Sequence, residues 1–231
     1  DLGYDSGPLD DYVLTNNINS LTSLDISSEN ISDLTGIEDF VALTFLQCND
    51  NNLASMNFSN NIVLETLYCY GNNSTSLEIS NNTSLKLLAC HTNNLTSIDI
   101  SGNTALESLS SFANNLTSID ASNNPLLYSL NCINNELTSL NFKNGNNTII
   151  TSFRTTGNSN LNCIEVDDAA YSATNWTDID AQTSFSEDCH YGETYVPDDN
   201  FEQALIDLGY DSGPLDDYVL TNNINSLTSL D

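Results

Sequence analysis

A repeat of 21 residues runs through most of the chain and restricts the fold more than any other feature. Five lines of similar residues start at this interval, at Leu43, Leu64, Leu85, Leu106 and Leu127. An earlier line from Leu21 has one extra residue, and a degenerate line starts at Ile150. A short, regular repeat indicates a solenoid, because one repeat alone cannot bury its apolar residues and must stack on its neighbours.

Each line has apolar residues at its first, fourth and sixth positions, and again at its eleventh, fourteenth and sixteenth positions. In the third of the five lines these residues are Leu85, Leu88, Cys90, Leu95, Ile98 and Ile100. The alternation at the start of the line is typical of a short strand with one face inward and the other outward. No line has room for a helix of ordinary length as well. We therefore expect each line to form one coil of the solenoid.

This pattern, with Asn at the ninth position of most lines, resembles the short-period leucine-rich repeats of bacterial proteins. The resemblance covers residues 21–160 and extends to the secreted or surface-displayed type found in marine bacteria similar to Bacteroidetes. It implies a repeat solenoid with parallel strands on the concave side, short irregular or extended segments on the convex side, and helical caps. It also implies that one Asn per coil satisfies backbone groups in the turn after the strand, at Asn51, Asn72, Asn93, Asn114 and Asn135.

The same resemblance implies a cap after the last coil, within residues 161–192. Asp167 or Asp168 can begin a short helix through the stretch "AAYSATNW", and Trp176 would then cover the last coil. A disulfide between Cys163 and Cys189 would bracket and staple this cap. Residues 1–20 are interpreted as the remnant of an N-terminal cap that precedes the coils.

The other cysteines all occupy the sixth, inward-facing position of their lines, at Cys48, Cys69, Cys90 and Cys132, with Ser111 in the remaining line. We interpret them as small buried core residues. One thiol per coil in a dry core does not build a tetrahedral metal site, and parallel neighbouring side chains suit a disulfide poorly.

Residues 207–231 repeat residues 1–25 without a single difference. The preceding stretch "YVPDDNFEQALIDLGYDSG" predicts a helix that Asp198 or Asp199 begins and Gly209 ends, with Phe201, Leu205 and Leu208 on one face. It resembles an N-terminal cap helix of the same family. We therefore interpret residues 193–231 as the cap helix and first strand of a next module, and the chain as one 206-residue period of a tandem array plus an overlap.

The net charge of −29, from 32 acidic and three basic residues, argues against nucleic acid and anionic membrane surfaces as partners. No apolar run is long enough to insert into a membrane. His91 and His190 are the only histidines, neither lies in a nucleophile motif, and phosphate-binding loops and zinc spacings are missing. We therefore expect no enzyme and no cofactor.

The sequence does not identify a metal site. The carboxylates around the second copy are candidate calcium ligands, at Asp198, Asp199, Asp211, Asp216 and Asp217, with Asp5, Asp10 and Asp11 as the earlier equivalents. Helix capping and solubility account for these residues equally well, and no EF-hand spacing is present.

The seventh position reads Asn49, Tyr70, His91, Phe112 and Ile133 along successive coils. With Phe45 and Tyr68 beside them, these residues predict an outward stripe of large groups on the concave side. Such a stripe is typical of a surface that binds a glycan or a protein, and an alternative is that the rings only stabilise the sheet.

The preferred function is a structural module of a secreted or surface-displayed array, which forms a fibre, filament or adhesin stalk. Its partners would then be neighbouring modules of the same array or polymer. The alternative is a recognition module whose concave stripe binds a glycan or protein ligand. A third interpretation makes the solenoid an accessory to an enzyme elsewhere in the same polypeptide.

Overall fold

The computed structural model describes residues 13–228, and this part of the chain divides into two compact units. The first unit ends at Glu187 and the second begins at Asp188. Residues 188–192, which the sequence placed in the C-terminal cap, therefore belong to the second unit. Within residues 13–228, no helix combines the length and the apolar character that a membrane span requires.

The first unit is a solenoid of parallel strands, which confirms the fold expected from the repeat. In the described part of the chain, each predicted line contributes one three-residue strand to a seven-stranded parallel sheet, formed by Ser23–Asp25, Phe45–Gln47, Thr66–Tyr68, Leu87–Ala89, Ser108–Ser110, Ser129–Asn131 and Ser152–Arg154. The register does not slip between coils, so the inward leucines Leu46, Leu67 and Leu88 are direct neighbours. We call this the front sheet.

The opposite side of the coils is extended and carries shorter parallel sheets. One comprises Ser118–Asp120, Ser139–Asn141, Cys163–Glu165 and Ser184–Ser186, and the other pairs Met56–Asn57 with Leu77–Glu78. Single turns of 3-10 helix lie at Ile37–Asp39 and Asn147–Ile149. A local turn explains the repeated "DIS" motif, because Asp99 accepts hydrogen bonds from the Ser101 amide and hydroxyl at 2.9 and 2.6 Å. These two bonds hold the pKa of Asp99 below its ordinary value.

The core between the two sides is dry and closely packed, and it includes the cysteines at the sixth position. Cys48, Cys69, Cys90 and Cys132, all within residues 13–228, are fully buried free thiols. Burial raises the pKa of Cys48, Cys90 and Cys132 to about 12, so these side chains remain uncharged small core residues.

The far end of the solenoid is closed by a helix at Ala169–Asn175, as the sequence predicted. Asp168 begins this helix and accepts a hydrogen bond from the Tyr171 amide at 2.9 Å. Trp176 follows, is buried, and stacks on Phe153 with ring centroids 4.3 Å apart. Cys163 and Cys189 are both disulfide-bonded.

The segment that was interpreted only as a cap also continues the coils. Asp178 pairs with Arg154 in a parallel bridge, and Ser184–Ser186 adds a strand beside Cys163–Glu165. The Asp180 carboxylate accepts hydrogen bonds from the Gly157 and Asn158 amides at 3.0 and 2.7 Å. The sequence did not predict this further coil because its lines no longer follow the leucine pattern.

The second unit contains a strand pair and two helices. Glu193–Tyr195 pairs antiparallel with Tyr218–Leu220, and the helices span Asp199–Asp207 and Thr221–Ile224. Asp198 caps the longer helix and accepts hydrogen bonds from the Asn200 and Phe201 amides at 3.0 Å.

The buried face of that longer helix differs from the prediction. Leu205 is buried, but Phe201 is 47% exposed and Leu208 is 46% exposed. Glu202 occupies the interior instead, because its carboxylate accepts the Asp216 and Asp217 amides at 2.8 and 3.1 Å. The helical periodicity considers apolar residues only, so it does not reveal a glutamate that is buried because it accepts backbone amides distant in sequence.

Candidate functional site

The predicted stripe contains a continuous stack of rings on the solenoid. The Tyr70 and His91 ring centroids lie 4.3 Å apart, and those of His91 and Phe112 lie 4.1 Å apart, with both ring pairs 11° from parallel. All three side chains are partly exposed. They lie in the turns after the strands rather than on the strands themselves, because each front strand ends at the fifth position of its line.

The turns hold these rings at the spacing of the coils. In every coil from Ser28 to Gly157 the residue at the eighth position has a left-handed backbone, including Gly71 at φ 63°, Thr92 at 55° and Ala113 at 53°. The Gly71 amide donates to the His91 carbonyl at 3.1 Å, and the Thr92 amide donates to the Phe112 carbonyl at 2.9 Å. The hydrogen-bond ladder therefore continues from the strands into the turns, and the rings stack along it.

Two further rings extend the stack onto the strands. Tyr68 lies edge-on to Tyr70 with centroids 6.5 Å apart, and Phe45 lies edge-on to Tyr68 at 5.9 Å. We call these five partly exposed residues, Phe45, Tyr68, Tyr70, His91 and Phe112, the aromatic surface.

The two ends of the predicted stripe differ from its middle. Ile133 is partly exposed and occupies the next coil, where its carbonyl accepts the Ala113 amide at 2.9 Å. Asn49 is buried rather than outward, because its Nδ2 turns to donate to Asp50 Oδ2 at 2.8 Å. The outward stripe therefore begins at Tyr70 and not at Asn49.

The histidine in the stack favours its neutral form. Partial burial lowers the pKa of His91 below its ordinary value, and the Asp50 carboxylate opposes this effect. An unperturbed histidine is already mostly neutral at pH 7, so the stack presents uncharged ring faces under neutral conditions. Uncharged faces suit stacking on apolar ligand groups such as sugar rings or aliphatic and aromatic side chains.

The asparagines at the ninth position act as the resemblance implied. Asn93 is typical: its Oδ1 accepts the Ser74 amide at 3.1 Å, and its Nδ2 donates to the Cys69 and Cys90 carbonyls at 3.1 and 3.0 Å. Equivalent bonds are made by Asn51, Asn72, Asn114 and Asn135. Asn158 in the degenerate last line makes the same contacts and extends the ladder beyond the predicted positions.

A second asparagine ladder on the opposite side was not predicted. Asn82 Nδ2 donates to the Phe58 and Asn61 carbonyls at 3.0 and 2.8 Å, and it is completely buried. The same position is filled by Asn61, Asn103 and Asn124. Each of the four is the last residue of an "SNN" or "SGN" triplet, so a signal was present in the sequence. Such polar triplets are also typical of exposed turns.

The carboxylates considered for calcium make local hydrogen bonds. Asp198 caps a helix, Asp216 accepts the Tyr218 amide at 3.1 Å, and Asp211 accepts the Ser212 amide at 2.7 Å. Within residues 13–228, no three carboxylate, histidine or cysteine side chains come together as metal ligands.

Comparisons with known proteins place this solenoid among leucine-rich repeat folds. No family model and no curated protein sequence matches the chain. An internalin (InlF) from Listeria monocytogenes is 21% identical, with a TM-score of 0.51, over 76% of this chain and 49% of the internalin. The leucine-rich repeat domain of APL1B is 20% identical, also with a TM-score of 0.51, over 74% of this chain and 57% of that domain.

The functional domain of InlJ from Listeria monocytogenes is 26% identical over 67% of this chain and 46% of its own length, with a TM-score of 0.43. The chain thus spans about half the length of the structures that it matches. The matches to InlF and APL1B show the leucine-rich repeat fold. They give no support to the marine Bacteroidetes origin that the sequence suggested.

Proposed function

We propose that the chain is a structural module of a tandem array, which serves as an extracellular or cell-surface fibre, filament or adhesin stalk. The observation that carries this proposal is the 25-residue identity between the two copies of the opening segment. Both copies also form the same short helix, at Thr15–Ile18 and Thr221–Ile224. In the first copy this helix leads into Ser23–Asp25, the first strand of the front sheet.

The solenoid suits a part whose task is length. Each coil pairs only with its neighbours, so stability comes from repeated contacts and grows as coils are added. Strands that stack at about 4.8 Å give about 30 Å for the seven coils of the front sheet. A chain of such modules would extend by similar steps, and its acidic surface would keep neighbouring fibres apart.

Native material tests this proposal directly. An antibody against the chain should detect a polypeptide far larger than 25.2 kDa in cells or culture supernatant. Brief proteolysis should cut it into a ladder whose steps equal one 206-residue period, and electron microscopy should show rods with a matching axial repeat. A native polypeptide of a single period would exclude the array.

The aromatic surface favours a second function, recognition of a glycan or protein ligand. Five partly exposed rings in one contiguous patch form a surface of the kind that binding sites use. The double variant Tyr70→Ala with Phe112→Ala should lose capture of any glycan or protein that the native chain binds in a broad panel. Tyr128→Ala is the matched control, because Tyr128 is exposed but lies outside this surface. Equal capture by both variants would rule out recognition by these rings.

A further inference from the structure

The two identical segments have different surroundings, and as a result one valine is exposed in the first copy and buried in the second. Val13 in the first copy is 38% exposed, whereas its equivalent Val219 in the second copy is 1% exposed. The residues and the adjoining short helix are the same in both copies. The exposure of Val13 therefore reflects what packs against it and not its own sequence.

Residues 193–205 bury Val219 in the second unit. Thr194 lies opposite Val219 in the antiparallel strand pair, and Val196 and Leu205 complete a small apolar cluster around it. The buried Glu202 carboxylate fixes the approach to this strand through the Asp216 and Asp217 amides. In the sequence, the equivalents of Asp216 and Asp217 in the first copy are Asp10 and Asp11.

The isoleucine of the short helix shows the opposite difference, since it is more buried in the first copy than in the second. Ile18 is 2% exposed in the first copy, where it lines a groove together with Leu24 and Ile26 of the first coil, whereas its equivalent Ile224 is only partly buried. Each copy thus has one half of a complete environment. The second copy has the strand and helix that precede the segment, and the first copy has the coils that follow it.

Both half-environments leave an apolar groove. In the first unit, a groove of about 590 Å³ is lined by Val13, Ile18, Leu24, Ile26, Leu34 and Phe40. In the second unit, a groove of about 430 Å³ is lined by Tyr195, Val196, Phe201, Leu205, Ile224 and Leu227. Phe201 lines the second groove and is exposed, although a large apolar residue of an amphipathic helix is usually buried.

We propose that the groove of the first unit binds a second copy of residues 188–206, supplied by the stretch that precedes Asp1 in the array. This proposal rests on the proposed tandem array and names the contact by which each cap helix packs on the coils that follow it. The added strand pairs with the first copy so that its Thr194 faces Val13, and its Leu205 buries that valine. Its Phe201 then lies on the apolar residues of the first coils.

An extended chain tests this contact, with residues 188–206 placed directly before Asp1 of the complete sequence. In the second copy the strand-bonded amides are those of Val219 and Thr221, the latter donating to the Gly192 carbonyl. Hydrogen–deuterium exchange should therefore slow at least about 10-fold at their equivalents, Val13 and Thr15, relative to the unextended chain, and the melting temperature should rise. A control extension of the same length carries Thr194→Pro and Leu205→Asp in the added copy only. These changes remove a strand donor and place a charge in the apolar cluster, so this control should restore fast exchange.

Protection by the native extension but not by the control would establish the contact. Equal exchange at Val13 and Thr15 in the two extended chains would overturn it, even if the native polypeptide proves to be a long array. Conversely, a native polypeptide of one period would exclude the array while leaving this exchange measurement to decide the contact. The two failures are therefore distinguishable.

Discussion

At the scale of single residues, one carboxamide per coil completes the hydrogen bonding of a buried turn. The Asn93 side chain serves one amide and two carbonyl groups that belong to two different coils. Each carbonyl is shared with the asparagine of an adjacent coil, because Asn72 also donates to Cys69 and Asn114 also donates to Cys90. The buried Ser74 amide has no such second partner, so an apolar residue at this inward position would fill the space but leave that amide unpaired.

Replacement of this asparagine should be costly. Asn93→Ala leaves the buried Ser74 amide unpaired and removes one of the two side-chain donors to each of the Cys69 and Cys90 carbonyls, so we expect the free energy of unfolding to fall by about 1–3 kcal/mol. Asn94→Ala is the control, because Asn94 is exposed and should change stability by less than about 0.5 kcal/mol. Urea unfolding of both variants measures the difference. Similar losses in both variants would contradict a specific role for the ladder.

The stacked histidine should make stability depend on pH. Its pKa in the folded chain lies below its ordinary value because of burial, so the unfolded chain takes up the proton first. Stability is therefore lost as the pH falls below about 6.5 and towards the lower pKa of folded His91. His91→Phe keeps a ring between Tyr70 and Phe112 but removes the titration.

The difference in unfolding free energy between His91→Phe and the native chain should thus shift in favour of the variant from pH 7.5 to pH 5. His190 and the carboxylates are present in both chains, so their contributions largely cancel. A difference that stays constant over this range would show that His91 binds its proton equally well in both states.

At the scale of elements, the turn after each front strand combines several constraints at adjacent positions. The seventh residue carries the ring, the eighth has a left-handed backbone and the ninth is the asparagine that satisfies the turn. The left-handed conformation favours glycine, yet alanine, threonine, serine, aspartate and asparagine also occupy it. Because the residue type varies so widely there, the sequence did not reveal this conformation.

Substitutions at the eighth position should have opposite signs. Ala113→Gly relieves a left-handed alanine, and we expect it to stabilise the chain by about 0.5–1 kcal/mol after the entropy of the unfolded glycine is subtracted. Gly71→Ala should instead destabilise it by about 1–2 kcal/mol, since φ is 63° and the new methyl group would collide with the Asp50 side chain. Thermal unfolding of the two variants measures both effects. Stabilisation by both would refute the assignment of strain to this position.

At the scale of the whole molecule, the repeat predicted the solenoid but not all of what holds it together. The inward leucines, the buried cysteines and the ninth-position asparagines follow from periodic positions, so the sequence identified them. The second asparagine ladder also repeats every 21 residues, but its polar triplets are equally typical of exposed turns, so they did not reveal a buried role. The further coil near Asp180 and the buried Glu202 depend on contacts between residues with no regular spacing. The ring positions of the candidate site were predicted from the sequence. That the rings lie in turns became clear only from the structure, which shows where each strand ends.

Charge repulsion acts on the whole molecule and gives a last prediction. The chain has a net charge of −29, and within residues 13–228 Lys86 and Arg154 form exposed ion pairs with Glu65 and Asp178. Exposed pairs contribute little, so unpaired carboxylates should repel one another more strongly in the compact state than in the unfolded chain. Salt at 0.1 M shortens the screening length to about 10 Å, which weakens this repulsion.

We therefore expect the melting temperature to rise when sodium chloride increases from 10 to 500 mM, by roughly 2–4 °C for each kcal/mol of repulsion that is removed. Calcium and magnesium chloride at matched ionic strength then separate screening from a specific site. We expect equal melting temperatures in the two divalent salts, because the carboxylates considered for calcium already accept local hydrogen bonds. A higher temperature in calcium alone would reveal a calcium site, and no rise in any salt would show that the folded chain does not store this repulsion.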